Sequence, residues 1–307
     1  MTTPLPSVIR LNVELGEKVL NEKLQRDFRQ RFDKLCHRRS DSTVFQDWVE
    51  VAAICLHQTP CNQGILPKDA KYEELEARYM EFVLKYKREG LTVFSEMLGI
   101  VQMALSETHS DFLGELYEAL ELTGSSEKQR RGEFFTPHHL STLMAKMSLD
   151  KEFIGQAIAE KGHLSLCEPA CGFGGMVIET CKHIEALGFE PSQMVFVEAT
   201  DISRTCFHAT YLQLSLLGIP ARVRHGNTLS DEMWEVWATP ILQLRLRKGE
   251  IDPRLRRIAE MAEGMAEEEP EVETVAQELC LPEKKVESAE TYQLELFSDG
   301  EGEEPRL

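Results

Sequence analysis

A glycine-rich turn between an apolar run and a helical pattern is the stretch of this chain best suited to bind a ligand. The turn reads Glu168-Pro169-Ala170-Cys171-Gly172-Phe173-Gly174-Gly175 and follows the apolar run that begins at Leu164. Glycines let a backbone approach a ligand closely, and the free N–H groups at a helix start attract a carboxylate or phosphate. Glycine patterns alone are weak evidence, and a plain turn between two elements explains them equally well.

A carboxylate stands where a second strand of the same sheet should end. Asp201 follows the strand-like run Gln193–Thr200. Dinucleotide-type folds place an acid at this position, where it accepts hydrogen bonds from ribose hydroxyls. A turn or helix-capping role for Asp201 is the alternative. The turn and the carboxylate together predict a nucleotide-type binding element.

Strand and helix patterns alternate around the glycine turn. The strand-like runs are Leu164–Glu168, Gln193–Thr200 and Ala221–His225, and the helical runs between them are Gly174–Leu187 and Ser203–Leu217. This alternation is typical of parallel βαβ units, whose ligands bind at the carboxyl edge of the sheet. After Leu229 the pattern stops, and residues 231–239 favour neither a strand nor a helix.

Helical spacing dominates the part of the chain that precedes the turn. Apolar residues recur every three or four positions from Leu15 to about Leu122, as on one face of a helix. Thr136 suits a helix N-cap and Pro137 suits the first helical position. A further helix is therefore expected from about His138 to Met147.

The composition argues against a membrane protein and against a disulfide scaffold. No run approaches the roughly 18 apolar residues of a membrane span. The first residues show no signal pattern, and the eight cysteines contain no CxxC pair. Reduced thiols and a cytoplasmic location are expected. Cys55, His57 and Cys61 lack a fourth ligand for structural zinc, so no metal site is expected.

The negative charge is concentrated at one end of the chain. The net charge is −18, yet residues 263–307 alone carry 15 acidic and 3 basic side chains. This end has the composition of a disordered acidic tail, and the rest of the chain is nearly balanced. Residues 241–262 form a basic, helix-like segment that contains Arg245, Arg247, Lys248, Arg254, Arg256 and Arg257. A solvated helix face is favoured over a DNA contact there.

Five short segments occur in a fixed order along the chain. They are Asp111–Glu118, Gly132–Pro137 (GEFFTP), Glu168–Gly175 (EPACGFGG), Ala199–Ile202 and Gly226–Leu229. Together they resemble the motifs of the amino-type adenine DNA methyltransferases, in particular the modification subunits of type I restriction–modification systems. The resemblance covers about residues 110–230. It implies an α/β fold with a truncated Rossmann-like, S-adenosylmethionine-dependent methyltransferase sheet preceded by an α-helical domain.

The resemblance also implies the cofactor and the residues that would hold it. The expected cofactor is S-adenosylmethionine, and the predicted cofactor-binding residues are Phe134, Phe135, Thr136, Pro137, Glu168, Ala170, Gly172, Gly174, Gly175, Asp201 and Asn227. The turn would receive the methionine part, Asp201 the ribose hydroxyls, and Asn227 the adenine amino group through its carbonyl oxygen. Asn227 and Glu168 each stand where the family usually has Asp.

Four parts of the chain are predicted on this basis. They are a helical N-terminal domain (1–124), a methyltransferase-like cofactor-binding domain (125–240), the basic helical segment (241–262) and the acidic tail (263–307). DNA is the expected substrate, bound directly or through a partner.

The catalytic motif of the family is missing from the sequence. Methylation of an adenine amino group needs a flipped base, acceptors for its hydrogens and an aromatic face, which the family supplies with an Asn/Asp-Pro-Pro-aromatic motif. The closest string, Ala238-Thr239-Pro240-Ile241, lacks the amide, the second proline and the ring. The catalytic residues are therefore unknown.

Three interpretations are open. The chain is a methyltransferase-like protein that binds the cofactor without methylating DNA alone. Alternatively, it is an active enzyme whose unusual site uses Trp234 or Trp237 for stacking, with a partner chain completing the truncated sheet. The third alternative is a non-enzymatic interaction or anti-restriction module. For both tryptophans, ordinary packing is favoured over base stacking.

A short apolar motif interrupts the acidic tail. Gln293-Leu294-Glu295-Leu296-Phe297 resembles the bacterial sliding-clamp-binding pentapeptide. The predicted contacts are Gln293 as a polar anchor and Leu294, Leu296 and Phe297 as apolar plugs. A chance apolar patch, or a tail that docks on its own domain, is the alternative.

Overall fold

The computed structural model describes residues 7–120, 122, 136 and 138–248, and gives no side-chain environment for residues 7–14, 17, 38 and 248. Helices fill the first part, as the apolar spacing predicts. They are α1 (Ser7–Phe32), α2 (Asp41–Asn62), α3 (Ala70–Thr108) and α4 (Phe112–Ala119), with a 3-10 turn at Cys36–Arg38. Side-chain caps begin three of them, because Ser40, Asp69 and Asp111 each accept a hydrogen bond from a backbone N–H in the first turn.

The second part alternates strands and helices. Its helices are α5 (His138–Ser148), α6 (Lys151–Lys161), α7 (Gly175–Ala186), α8 (Pro191–Met194), α9 (Arg204–Leu216) and α10 (Pro240–Lys248). Its strands are β1 (Leu164–Glu168), β2 (Val195–Asp201), β3 (Ala221–Asn227) and β4 (Glu232–Ala238). The three strands predicted from the sequence and the two helices between them are confirmed, with ends that differ by one or two residues.

The strands form one sheet in the order β1-β2-β3-β4. β1, β2 and β3 are parallel, so that Leu164 pairs with Val195 and Val197 pairs with Ala221. β4 runs antiparallel to β3. The sequence did not predict β4, because residues 231–239 lack a clean alternation; a register shift between His225 and Gly226 interrupts the pairing there. The α/β fold class is confirmed.

One face of the sheet carries the larger core. Alternate residues of the parallel strands, such as Val197 and Val223, are fully buried beneath α7 and α9. The opposite face has a small apolar cluster of Phe196, Ala238 and Leu242. Beside that cluster, Glu198 pairs with Arg222 and Arg224. Among the described strands, β1 pairs on one side only.

The N-terminal helices share their apolar core with the α/β part. Phe173 of the glycine turn and Leu212 of α9 belong to the cluster that is built on Phe28, Phe45 and Trp48. The N-terminal helices therefore press on the elements that shape the turn. The domain borders near residues 124, 240 and 262 stay predictions. Residues 123–135 and 249–307 lie outside the described part, whereas Thr136, which follows the first of these ranges, is described.

The first basic residue of the 241–262 segment, Arg245, makes hydrogen bonds within the protein. Arg245 donates from Nη1 to the Ser192 carbonyl at 3.0 Å and from Nη2 to the Gln193 carbonyl at 2.7 Å. Arg254, Arg256 and Arg257 lie outside the described residues. In the described part of the chain, no helix combines the length and the hydrophobicity that a bilayer crossing needs.

Candidate cofactor site

The glycine turn is tied to the carboxyl end of β2. After β1 the chain turns through Gly172 (φ 54°) and Gly174 (φ 91°), and α7 begins at Gly175. The N–H of Cys171 donates to the Thr200 carbonyl at 2.9 Å, and the N–H of Gly172 donates to Asp201 Oδ2 at 2.8 Å. Two of the predicted site segments are thereby brought together at one edge of the sheet.

The Asp201 carboxylate both braces the turn and keeps acceptor capacity. Its Oδ1 accepts from the Ser203 N–H at 2.8 Å, so each oxygen holds one backbone hydrogen bond. The Cys206 thiol also hydrogen-bonds to this carboxylate, and the lone pair that remains can accept a hydrogen bond from a ligand hydroxyl. Burial raises the pKa of Asp201, and the hydrogen bonds from Ser203 and Gly172 oppose that rise. The turn role that the sequence left open for Asp201 is therefore real, whereas Ser203 caps α9; the turn role is compatible with ligand binding.

A third predicted segment joins the same edge from β3. Thr228 Oγ1 donates to the Pro169 carbonyl at 2.7 Å. Asn227 Oδ1 accepts from the Leu229 N–H at 3.0 Å and closes the turn after β3. Glu168 Oε1 accepts from the Ala170 N–H at 3.2 Å. The ends of all three parallel strands thus meet around the glycine turn.

A buried polar network behind the turn was not predicted from the sequence. Gln213 of α9 donates from Nε2 to the Phe173 carbonyl and to Asp111 Oδ1, both at 2.7 Å, and its Oε1 accepts from the Leu113 N–H at 3.1 Å. Burial raises the pKa of Asp111. The signal available in the sequence was the Asp111 N-cap position, whereas Gln213 had no signal because it lies within an ordinary helical pattern.

The network explains why glycine stands at the first position of α7. A Cβ on Gly175 would lie 2.7 Å from Asp111 Oδ2. Asp111 is held by Gln213 and by the Gly114 N–H, at 2.8 Å from Oδ1, so it cannot retreat at low cost. Gly175 thus accommodates the protein's own carboxylate as well as any ligand near the turn.

The segment that contains the Phe-Thr-Pro residues is described only in part. Phe134, Phe135 and Pro137 lie outside the described residues, and Thr136 is exposed. His138 begins α5 directly after them, and its Nδ1 lies 2.9 Å from Glu179 Oε1 on α7. Thr142 Oγ1 donates to Glu179 Oε2 at 2.8 Å. This His138–Glu179 latch fixes the start of α5 one turn beyond the glycine turn.

The latch should make the attachment of α5 depend on pH. The hydrogen bond to Glu179 raises the pKa of His138 above its ordinary value of 6.5. The contribution of the His138–Glu179 pair to stability should be fully present below pH 6.5 and disappear as the pH rises through the raised pKa of His138. Amide hydrogen exchange in residues 139–148, compared at pH 6 and pH 8.5 after correction for the intrinsic rate, should show lost protection. His138→Gln should abolish this difference and His139→Gln should keep it; equal behaviour of the two variants would contradict the latch.

Comparison with known proteins bears on the same region. Residues 108–244 match the family model described as N-6 DNA Methylase. The match begins just before Asp111 and ends within α10, so it includes the glycine turn, Asp201 and Asn227. It supports the predicted cofactor, S-adenosylmethionine.

A curated relative matches part of the chain. Over 129 residues the chain is 25% identical to the "Type I restriction enzyme MpnII methylase subunit" of Mycoplasma pneumoniae (strain ATCC 29342 / M129 / Subtype 1). The alignment covers 41% of this chain and 22% of that protein. The chain thus spans about a fifth of the length of that relative.

Two solved structures resemble the chain more distantly. One is the type I restriction–modification system methyltransferase subunit from Streptococcus thermophilus, with 13% identity over 70% of this chain and 60% of that chain and a TM-score of 0.35. The other, from Listeria monocytogenes, is assigned as a class I S-adenosylmethionine-dependent methyltransferase, with 13% identity over 70% and 56% and a TM-score of 0.32.

The string that comes closest to the family's catalytic motif, Ala238–Ile241, begins at the end of the sheet that is remote from the glycine turn. Ala238 pairs with Arg222, and the Thr239 N–H donates to the Ala221 carbonyl at 2.9 Å, both at the amino end of β3. Asn227 is at the other end, roughly 16 Å away at the usual strand rise of about 3.3 Å per residue. Thr239 is fully buried. This string therefore cannot reach a methyl group held at the glycine turn.

The two tryptophans considered for base stacking differ completely in exposure. Trp237 is fully buried, and its ring packs against Phe207 and Tyr211. Trp234 is 53% exposed. Ordinary packing is therefore the role of Trp237, and only Trp234 is accessible to a ligand.

The described residues contain no group of three or more His, Cys, Asp or Glu side chains arranged to hold a metal ion. His57 instead packs beside Trp237, with ring centroids 4.9 Å apart. Burial lowers the pKa of His57 to about 4. Cys61 donates from Sγ to the Pro67 carbonyl at 3.3 Å.

Proposed function

We propose that this chain is the cofactor-binding part of a DNA adenine N6-methyltransferase. It holds S-adenosylmethionine at the carboxyl edge of the sheet and does not methylate DNA on its own. The observation that carries the proposal is the convergence of the glycine turn, Asp201 and Asn227, joined by the Gly172–Asp201 and Thr228–Pro169 hydrogen bonds of 2.8 and 2.7 Å.

The chemistry of the edge suits each part of the cofactor. The start of α7 offers free N–H groups and a positive dipole end to the methionine carboxylate. The remaining lone pair of the Asp201 carboxylate accepts from a ribose hydroxyl, and Asn227 accepts from the adenine amino group with the remaining lone pair of Oδ1. The His138–Glu179 latch holds the residue that directly follows the Phe-Thr-Pro motif against α7. S-adenosylmethionine supplies the activated methyl group.

The cofactor proposal is tested by calorimetry. S-adenosylmethionine should release heat on binding to the full-length chain. Asp201→Asn should weaken binding by about tenfold or more, because the amide turns one acceptor into a donor that opposes the Gly172 N–H. Asp150→Asn, at the exposed N-cap of α6, is the matched control. Absence of heat at millimolar cofactor, with the far-UV circular dichroism intact, would defeat the proposal.

Dependence on a partner is tested by methyl transfer. We expect no incorporation of labelled methyl groups into DNA by the chain alone, because the Ala238–Ile241 string lies at the opposite edge of the sheet. Transfer by the purified chain alone would overturn this part of the proposal. Transfer that appears only with host lysate would favour the second candidate, an enzyme whose active site a partner completes.

The open edge of β1 favours that second candidate over a pure interaction module. Among the described strands β1 pairs only with β2, and Ser165 and Cys167 on it are exposed. On α5, four large apolar side chains at helical spacing are more than 40% exposed: Leu140, Leu143, Met144 and Met147. A protein partner that adds strands beside β1 would complete the truncated sheet. An anti-restriction or other non-enzymatic module is the third candidate, indicated by cofactor binding without transfer under any condition.

The remaining partners are proposals from sequence. DNA is the proposed substrate, directly or through a partner. A cytoplasmic location is proposed because the cysteine spacing, with no CxxC pair, is read as reduced thiols. Gln293, Leu294, Leu296 and Phe297 lie outside the described residues and are proposed to bind the sliding clamp. A peptide of residues 291–298 should bind purified clamp, and Leu296→Ala with Phe297→Ala should abolish binding. No binding of the unchanged peptide at high micromolar concentration would exclude this contact.

A further inference from the structure

A β-bulge at the carboxyl end of β3 turns one tryptophan out of the sheet. His225 pairs with Glu235 and Gly226 pairs with Met233, so Trp234 is the extra residue on β4. Gly226 permits the bulge, because a Cβ there would lie 2.4 Å from the Glu232 carbonyl oxygen. Bulges of this kind re-aim side chains and are frequent beside active sites.

Trp234, at the bulge, differs from the other two tryptophans in its exposure to solvent. Trp48 and Trp237 are fully buried, whereas Trp234 is 53% exposed. The rings of Trp234 and His225 form a T-shaped pair at a centroid distance of 4.8 Å and an interplanar angle of 73°, which helps to position the indole. Ile202, directly after Asp201, is 61% exposed at the same edge of the sheet.

The position of Trp234 relative to Asp201 is set by the strand register. His225 is the direct partner of Asp201 on β2, and Trp234 lies beside His225 on β4. Two strand spacings separate β2 from β4, or about 10 Å. This is comparable with the length of a nucleoside, from its ribose hydroxyls to the far side of its base.

We propose that Trp234 forms the stacking wall for the purine ring of a nucleoside whose ribose is held by Asp201. The inference rests on the proposed function and names the residue that recognises the base. When a nucleoside extends from the glycine turn across the end of β2, its base lies on the side of β4. The flat, half-exposed indole offers one face to that base, and Ile202 offers an apolar contact near the ribose.

The charges of this edge favour a nucleoside over a nucleic-acid strand. Asp231 and Glu232 are exposed next to the bulge, and their carboxylates repel a phosphodiester chain. The nearby cation, Arg204, is already paired: its Nη2 lies 3.5 Å from Glu50 Oε1 and 3.8 Å from Glu235 Oε2. A nucleoside carries no phosphate and meets no such repulsion.

Tryptophan fluorescence of the full-length chain tests the proposal with adenosine as the probe. Because Trp234 is the exposed one of the three tryptophans, adenosine should change the emission of the wild-type protein. By calorimetry, Trp234→Ala should weaken adenosine binding by about tenfold or more, the range seen for loss of one base–aromatic stack. Trp234→Phe should stay within about threefold of wild type. Leu84→Ala, a 79% exposed position on α3, is the matched control.

The outcomes separate this inference from the proposed function. Equal adenosine affinity of the wild type and Trp234→Ala would overturn the inference, even if S-adenosylmethionine binds. Emission that responds to a single-stranded oligonucleotide and not to adenosine would also overturn it, in favour of a nucleic-acid contact. The third outcome is an absence of heat with S-adenosylmethionine together with a heat of adenosine binding that Trp234→Ala removes. It would defeat the proposed function and leave the nucleoside site supported.

Discussion

Replacing Glu235 by Gln should lower the free energy of unfolding by about 3 kcal/mol. Glu235 Oε1 accepts from Arg78 Nη1 at 2.8 Å, from Lys71 Nζ at 3.0 Å and from Trp237 Nε1 at 2.9 Å. The side chain of Glu235 is only 12% exposed and that of Arg78 18%. Glutamine keeps the volume and one acceptor. The loss reflects two partly buried cations that lose the most buried of their carboxylate partners and keep only Glu50 and Glu74. Urea denaturation at pH 7 measures the difference.

The same carboxylate should make this difference depend on pH. Burial alone would raise the pKa of Glu235, but Arg78 and Lys71 outweigh it and lower the pKa from 4.5 to about 2. The stabilisation is present above pH 4.5 and is lost as the pH falls toward 2. The gap between the wild type and Glu235→Gln should therefore narrow below pH 4.5. Glu232→Gln, exposed on the same strand, should match the wild type throughout; a constant gap at all pH values would contradict the ion-pair explanation.

The second large effect is expected at the glycine turn. Phe173→Ala should cost about 4 kcal/mol of unfolding free energy and weaken S-adenosylmethionine binding. Phe173 is 1% exposed, and its ring packs against Tyr117 and Phe45 at centroid distances of 4.9 and 6.1 Å. The ring anchors the turn in the core of the N-terminal helices, so its removal leaves a cavity and frees the turn that is proposed to hold the cofactor.

Two comparisons make the Phe173 prediction specific. Phe173→Leu keeps most of the apolar volume and should cost less than about 2 kcal/mol, with a smaller loss of cofactor affinity. Phe153→Ala removes a 42% exposed ring on α6 and should change stability by only about 0.5 kcal/mol. Urea midpoints give the stabilities and calorimetry gives the affinities. Unchanged cofactor binding in a folded Phe173→Ala protein would show that the turn keeps its shape without this anchor.

Local patterns in the sequence determined the elements that carry the site. The glycine turn, the acid after β2 and the alternating strand and helix periods predict β1, α7, β2, α9 and β3 in order, and the structure confirms them. Such features depend on residues close together in the chain, since turn chemistry and hydrophobic period act over a few positions. Hydrogen bonds among Gly172, Asp201, Thr228 and Pro169 then join the turn to the ends of β2 and β3.

Contacts between distant residues and the register of a strand were decided only by the tertiary structure. Asp111 and Gln213 are far apart in sequence, so no local pattern connects them, although they meet behind the glycine turn. Trp234 and Trp237 both lie on β4, where the first is the extra residue of the bulge and is exposed, and the second is buried. The antiparallel pairing of β4 likewise sends Ala238–Ile241 to the edge remote from Asp201. A shift of register changes which side chains reach a site without changing their order along the chain.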